Sequence, residues 1–126
     1  MTERSIKNMI YSKRYITYDI LFLKEITELF ISNLIDLKEG LARGIKTNDT
    51  SLSLNKFYQS KSTLILIGNA RLLVIAEELM EIIKNKPLCE IDKLMIHSFQ
   101  HICNRELKNL TARLTFYENY LVTKSH

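Results

Sequence analysis

The sequence predicts an all-α fold: an antiparallel four-helix bundle with an additional short N-terminal helix. Three observations carry this. Apolar residues recur in steps of three and four through every long segment, the period of a helix with one buried stripe. The 126 residues include one proline and three glycines, so few positions interrupt a helix. The polar connections between periodic segments are short, which pairs consecutive helices antiparallel.

The elements follow in order. Residues 4–14 form a short candidate helix with Ile6, Met9 and Ile10 on one face. Thr17 or Asp19 offers an N-cap for the next helix, about 19–43, whose stripe is Leu23, Ile26, Phe30, Leu34, Leu37 and Leu41. Gly40 sits inside that helix at a cost of ~1 kcal/mol relative to alanine, and Gly44 is its expected C-terminal stop. Asn48 or Asp49 caps the third helix, which buries Phe57, Leu64 and Ile67 and ends at Gly68. Asn69 starts a helix over about 70–85, with Leu72, Ile75, Leu79 and Ile82 aligned, and Asn85-Lys86-Pro87 stops it. The last helix, about Ile91 to Val122, shows two stripes. Ile91, Met95, Ser98 and Ile102 form the first, and Leu107, Leu110, Leu114, Tyr117 and Leu121 the second. A step of five separates them, predicting a bend or a drift of the buried face near Arg105.

Length and composition fit a single domain over residues 1–126 with one modest core; 46% hydrophobic and 25% charged residues is a globular profile. The formal charge of +4 comes from 18 basic and 14 acidic residues. The basic residues are scattered (Lys13-Arg14, Lys84 and Lys86, Lys108 and Arg113), which reads as a solvated surface rather than a nucleic-acid interface. Cys89 and Cys103 are too few for a disulfide framework and read as ordinary thiols. No run is apolar enough to span a bilayer, and the polar N-terminus lacks a signal-peptide core, so a cytoplasmic protein with no membrane partner is expected.

The most informative stretch is Asn55 to Asn69, NKFYQSKSTLILIGN. Lys61 and Gly68 stand seven residues apart, with Tyr58 three before the lysine and Ser62 directly after it. This spacing resembles helix C of histidine-containing phosphotransfer (HPt) domains, which show His-x-x-Lys-Gly and a second glycine ten residues after the histidine. The resemblance extends over about 19–83. Asp19 to Leu41 is similar to helix B of that family, Asn48-Asp49 to the opening of helix C, and Arg71-Leu72 with Glu77-Glu78-Leu79 to helix D. This sequence departs from the motif at two places: Tyr58 occupies the phospho-accepting histidine position, and Ser62 the first glycine position.

In that family the imidazole takes a phosphoryl group from a receiver-domain aspartate and passes it on. The lysine one turn along supplies positive charge near the phosphate, and the glycine leaves room for close docking. The resemblance therefore implies that Lys61 keeps the charge role and Ser62 most of the space, while the nucleophile is lost. A phenol holds its proton at neutral pH, its phosphate ester is too stable for reversible exchange, and no base neighbours Tyr58 in sequence to activate it.

The expected function is that of a degenerate HPt-like protein in a two-component phosphorelay. It would bind the receiver domain of a response regulator or hybrid histidine kinase, or the kinase itself, without carrying phosphate. The expected partner-binding residues are Leu54, Tyr58, Lys61, Ser62 and Ile65, with Gly68 as a structural cap; no catalytic residue, cofactor or metal is expected. Two alternatives stay open: an active phosphotransfer protein using an unexpected acceptor, and an unrelated helical dimer or adaptor. His97 and His101 are four apart, a spacing able to hold a metal, but Cys103 does not share their face well and a structural or surface role is expected. A homodimer is compatible with the apolar run Leu64 to Ile67.

Overall fold

The computed structural model describes the backbone of residues 3–87 and 90–124 and the side chains of residues 17–87 and 90–123. Four helices follow one another: α1 (Glu3–Thr47), α2 (Thr50–Ile67), α3 (Ala70–Asn85) and α4 (Lys93–Lys124). α1 packs along α2 and α4, and α3 closes the ring between α2 and α4, as in an antiparallel bundle. Among the described residues no helix is long and apolar enough to cross a membrane.

Local chemistry explains the ends of α2 and α3. Asp49 is extended and its side chain accepts a hydrogen bond from Leu52 N, capping α2. Gly68 ends α2 in the left-handed region at φ 76° and donates its N–H to Ile65 O. Asn69 then caps α3 by accepting from Leu72 N, while its Nδ2 donates to Glu106 Oε2 at 2.9 Å. One amide thus starts a helix and ties the α2–α3 turn to α4. α3 stops where Lys86, before Pro87, is extended. Gly68 has nothing within 4 Å of the position a Cβ would take, so its requirement is purely conformational. Gly68→Val is therefore expected to lower stability by about 1–2 kcal/mol, read as a lower urea midpoint with an unchanged m-value.

Three expectations need correction. No separate N-terminal helix exists among the described residues, because α1 runs unbroken from Glu3. Thr17 and Asp19 cost a helix only a few tenths of a kcal/mol, and neither proline nor glycine lies nearby to convert that cost into a stop. The Ile6, Met9 and Ile10 side chains lie outside the described set. Gly44 does not end α1 either. The helix continues to Thr47, and Asn48 takes the left-handed conformation at φ 53°, a role asparagine fills without a large penalty. Gly44 is instead buried at the α1–α2 crossing, where Ser53 and the Asp49 carbonyl occupy the space of a side chain.

The third correction concerns α4. Ser98 is exposed, and the inward stripe is Phe99, Cys103, Glu106 and Leu110, continued by half-buried Leu114, Tyr117 and Leu121. These follow steps of four and three throughout, so the apparent step of five disappears. The step of five reflects a first stripe centred on Ser98, one residue off the buried Phe99 and Cys103, followed by a core position, Glu106, that carries a carboxylate; Asn69 makes its burial tolerable.

The core joins Leu34, Leu37 and Leu41 of α1, Phe57 and Leu64 of α2, Leu72, Ala76, Leu79, Met80 and Ile83 of α3, and Phe99, Cys103 and Leu110 of α4, with Ile91 from the α3–α4 connection. Phe57 and Phe99 meet across the bundle with ring centroids 5.7 Å apart and planes tilted by 54°. Burial pushes the Cys103 thiol up from 9.0 to about 12, so it stays neutral and acts as a packing group. Cys89 lies outside the described residues.

Candidate functional site on the outer face of α2

The seam with α1 sets which face of α2 points outward. Ser53, Phe57, Ser60, Thr63 and Leu64 are buried. Small or hydroxyl side chains at this seam let the two helices approach closely, with Gly40 and Gly44 contributed by α1. Asn33 Nδ2 donates to Thr63 Oγ1 at 2.8 Å, and Lys56 pairs with Asp36 at 2.9 Å. These contacts fix the rotation of α2 about its axis, and hence what it presents to solvent.

Tyr58, Lys61, Ser62 and Ile65 all fall on the exposed side. Tyr58 is 51% exposed and Ile65 53%. Helical spacing at three, four and seven residues from Tyr58 makes them neighbours on one surface. Leu54 does not join them fully: it is half-buried and packs against the core. Gly68 closes the helix, and its turn lies beyond the C-terminal end of this face.

Two residues that sequence reasoning missed belong to the same surface. Leu66, 68% exposed, adds apolar area beside Ile65 and Ser62; its position one turn after Ser62 was a usable signal. Lys84 comes from α3, and no local pattern could have pointed to it. Its ammonium sits 5.5 Å from the Tyr58 ring centroid, within cation–π range. Hydrogen bonding to Tyr58, then to Glu81 at 3.3 Å, raises the Lys84 pKa above the ordinary lysine value. The ring is thus flanked by two cations, Lys61 on its own helix and Lys84 on the next.

The four best-formed pockets among the described residues are lined by residues other than Tyr58, Lys61, Ser62 and Ile65. α2 itself carries no imidazole or carboxylate, and the charged groups near Tyr58 are Lys61 one turn along α2 and Lys84, which is ion-paired with Glu81. What the arrangement can do is bind, through an aromatic ring, adjacent aliphatic side chains and positive charge. His97 and His101 are exposed on α4, on a different helix, and among the described residues no group of three or more metal-ligating side chains forms. A polar cleft of about 120 Å³ is lined by Asn69, Arg71, Ile102, Arg105, Glu106 and Asn109, with the Glu106 carboxylate held by the Asn69 amide. Compared with protein-family profiles, characterised proteins and solved structures, the chain shows no significant match.

Proposed function

We propose that the protein is a degenerate HPt-like binding module that docks on a receiver domain, or on the histidine kinase that carries one, through the outer face of α2 and transfers no phosphate. The observation that supports this most is the exposed Tyr58, at the position where the resembled family places its histidine, with Lys61 one turn along and Lys84 over the ring. Receiver active sites are acidic, so two cations around the ring favour approach, while Tyr58, Ile65 and Leu66 supply apolar area for contact. Recognition separates from chemistry because affinity comes from buried contact and charge complementarity rather than from a nucleophile.

The test is titration of receiver and kinase domains from the same cell against the wild-type chain and two variants. Ser62→Arg is expected to abolish binding by steric and charge intrusion, with far-UV circular dichroism unchanged. Lys61→Ala is expected to weaken binding roughly tenfold, about 1.4 kcal/mol, most clearly at low salt. A phosphorylated receiver should leave the wild type unlabelled, whereas Tyr58→His, alone or with Ser62→Gly, is expected to accept label. Receivers that bind Ser62→Arg as tightly as wild type would remove this face as the docking site. Acid-labile label on wild-type His97 or His101 would favour the phosphotransfer alternative instead.

A further inference from the structure

Among the described residues, Glu106 is the one charged side chain that is buried, at 5% exposure. Its Oε2 accepts a hydrogen bond from Asn69 Nδ2 at 2.9 Å, and no described cation lies within ion-pair distance of it. A carboxylate has about four acceptor sites, and buried charges are ordinarily paired. One neutral amide leaves most of that capacity unused. The second oxygen is not sealed inside the protein. Among the described residues, Ser53 Oγ is the side-chain atom that is both enclosed and without a partner. Glu106 Oε1 is therefore open to the polar cleft that Glu106 lines.

The same cleft carries positive charge. Arg71, in the first turn of α3, and Arg105 of α4 both line it, and both are exposed. Neither is in an ion pair with a described residue. Two guanidinium groups and one carboxylate thus share a space of about 120 Å³ without satisfying one another. A simple anion entering it meets Glu106, and a simple cation meets both arginines. A small molecule with both charges suits each group. Its ammonium donates to Glu106, and its carboxylate accepts from the planar forks of the arginines. An ammonium and a carboxylate on one carbon make an α-amino acid.

The neighbouring surface selects the side chain. Arg71 and Ile102 also line a second groove of about 350 Å³, whose apolar wall includes Val74 and Ile75. The two spaces are therefore contiguous. Val74 is 52% exposed, and Ile75 and Ile102 are half-buried. A side chain leaving the cleft along this wall gains contact if it is aliphatic. A few polar groups converging beside apolar lining is the usual build of a small-molecule site.

We infer that the cleft between the α2–α3 turn and α4 binds a free aliphatic α-amino acid, with its ammonium on Glu106, its carboxylate on Arg71 and Arg105, and its side chain along Val74, Ile75 and Ile102. The site uses none of the residues of the outer face of α2, so it does not depend on receiver docking. A bound amino acid would join α3 to α4 and stabilise the fold by mass action.

Calorimetric titration of the full chain with L-leucine and three analogues tests the inference. L-Leucine is expected to bind with a Kd at or below about 1 mM and to raise the Tm. N-acetyl-L-leucine lacks the ammonium and L-leucinamide lacks the carboxylate; each is expected to bind at least about tenfold more weakly. Glycine, without a side chain, is expected to do the same. Arg71→Gln and Arg105→Gln change exposed positions, so each is expected to weaken L-leucine binding roughly tenfold with unchanged far-UV circular dichroism. Glu106→Gln keeps an acceptor for Asn69 and is expected to weaken it at least as much. Ser62→Arg is expected to bind L-leucine like wild type. No binding of L-leucine at about 10 mM would overturn the inference. So would analogues that bind as tightly as L-leucine, or arginine variants that lose no affinity.

Discussion

Gly44→Val is expected to destabilise the fold by about 3 kcal/mol. The glycine is buried in the α1–α2 crossing, and a Cβ there would fall inside van der Waals contact of Ser53 Oγ. Rotating Ser53 would not clear the site, because the Asp49 carbonyl oxygen lies 3.0 Å and Ser53 Cβ 3.2 Å from the same point. Against the clash stands a gain of under about 1 kcal/mol from replacing glycine inside a helix, which overpacking outweighs. Ser53 Oγ is also a buried hydroxyl with no hydrogen-bond partner. Ser53→Ala alone is therefore expected to be neutral or slightly stabilising, since it removes an unmet polar group. Combined with Gly44→Val it should recover part of the loss, giving a coupling of roughly 0.5–1 kcal/mol. Urea denaturation of the four proteins checks this, and additive behaviour would show that the two residues do not share the crowded space. The seam also orients α2, so Gly44→Val should weaken partner binding through the Tyr58 face even where the chain remains folded.

Boundaries written in local chemistry were legible in the sequence. Asp49, Gly68, Asn69 and Pro87 each act on backbone groups a few residues away, and α2 and α3 begin and end where those residues indicate. Features that depend on a neighbouring helix were not. Gly44 has the composition of a stop and serves as a close-approach point, which only the position of Ser53 reveals. Glu106 looked like a surface residue until Asn69 reached it from the α2–α3 turn. The same division holds at the candidate site. Tyr58, Lys61, Ser62 and Ile65 share an exposed face because helical spacing alone puts them there, whereas half-buried Leu54 and the arrival of Lys84 follow from how α2 packs on the other helices.

Phe99→Ala is expected to cost about 3–5 kcal/mol, the range for deleting a fully buried aromatic. A domain of this size has about 5–15 kcal/mol in total, so the variant should sit close to its unfolding threshold. Phe99 is 0% exposed, and its ring meets Phe57 of α2 at 5.7 Å. Truncation therefore removes both the apolar burial and an aromatic pair worth roughly 0.5–1.5 kcal/mol beyond area. The adjacent Ser98→Ala supplies the contrast. Ser98 is exposed, and removing its hydroxyl from a helix surface should change stability by no more than about 0.5 kcal/mol, in the favourable direction, since alanine is the better helix former. The pair thus measures the rotation of α4 directly. A face centred on Ser98 would make both changes costly or reverse their order, whereas a face centred on Phe99, Cys103, Glu106 and Leu110 makes them differ by several kcal/mol. Urea midpoints with matched m-values decide between the two. Because Phe57 lies next to Tyr58 on α2, Phe99→Ala should also weaken binding at the outer face, while Ser98→Ala should leave it unchanged.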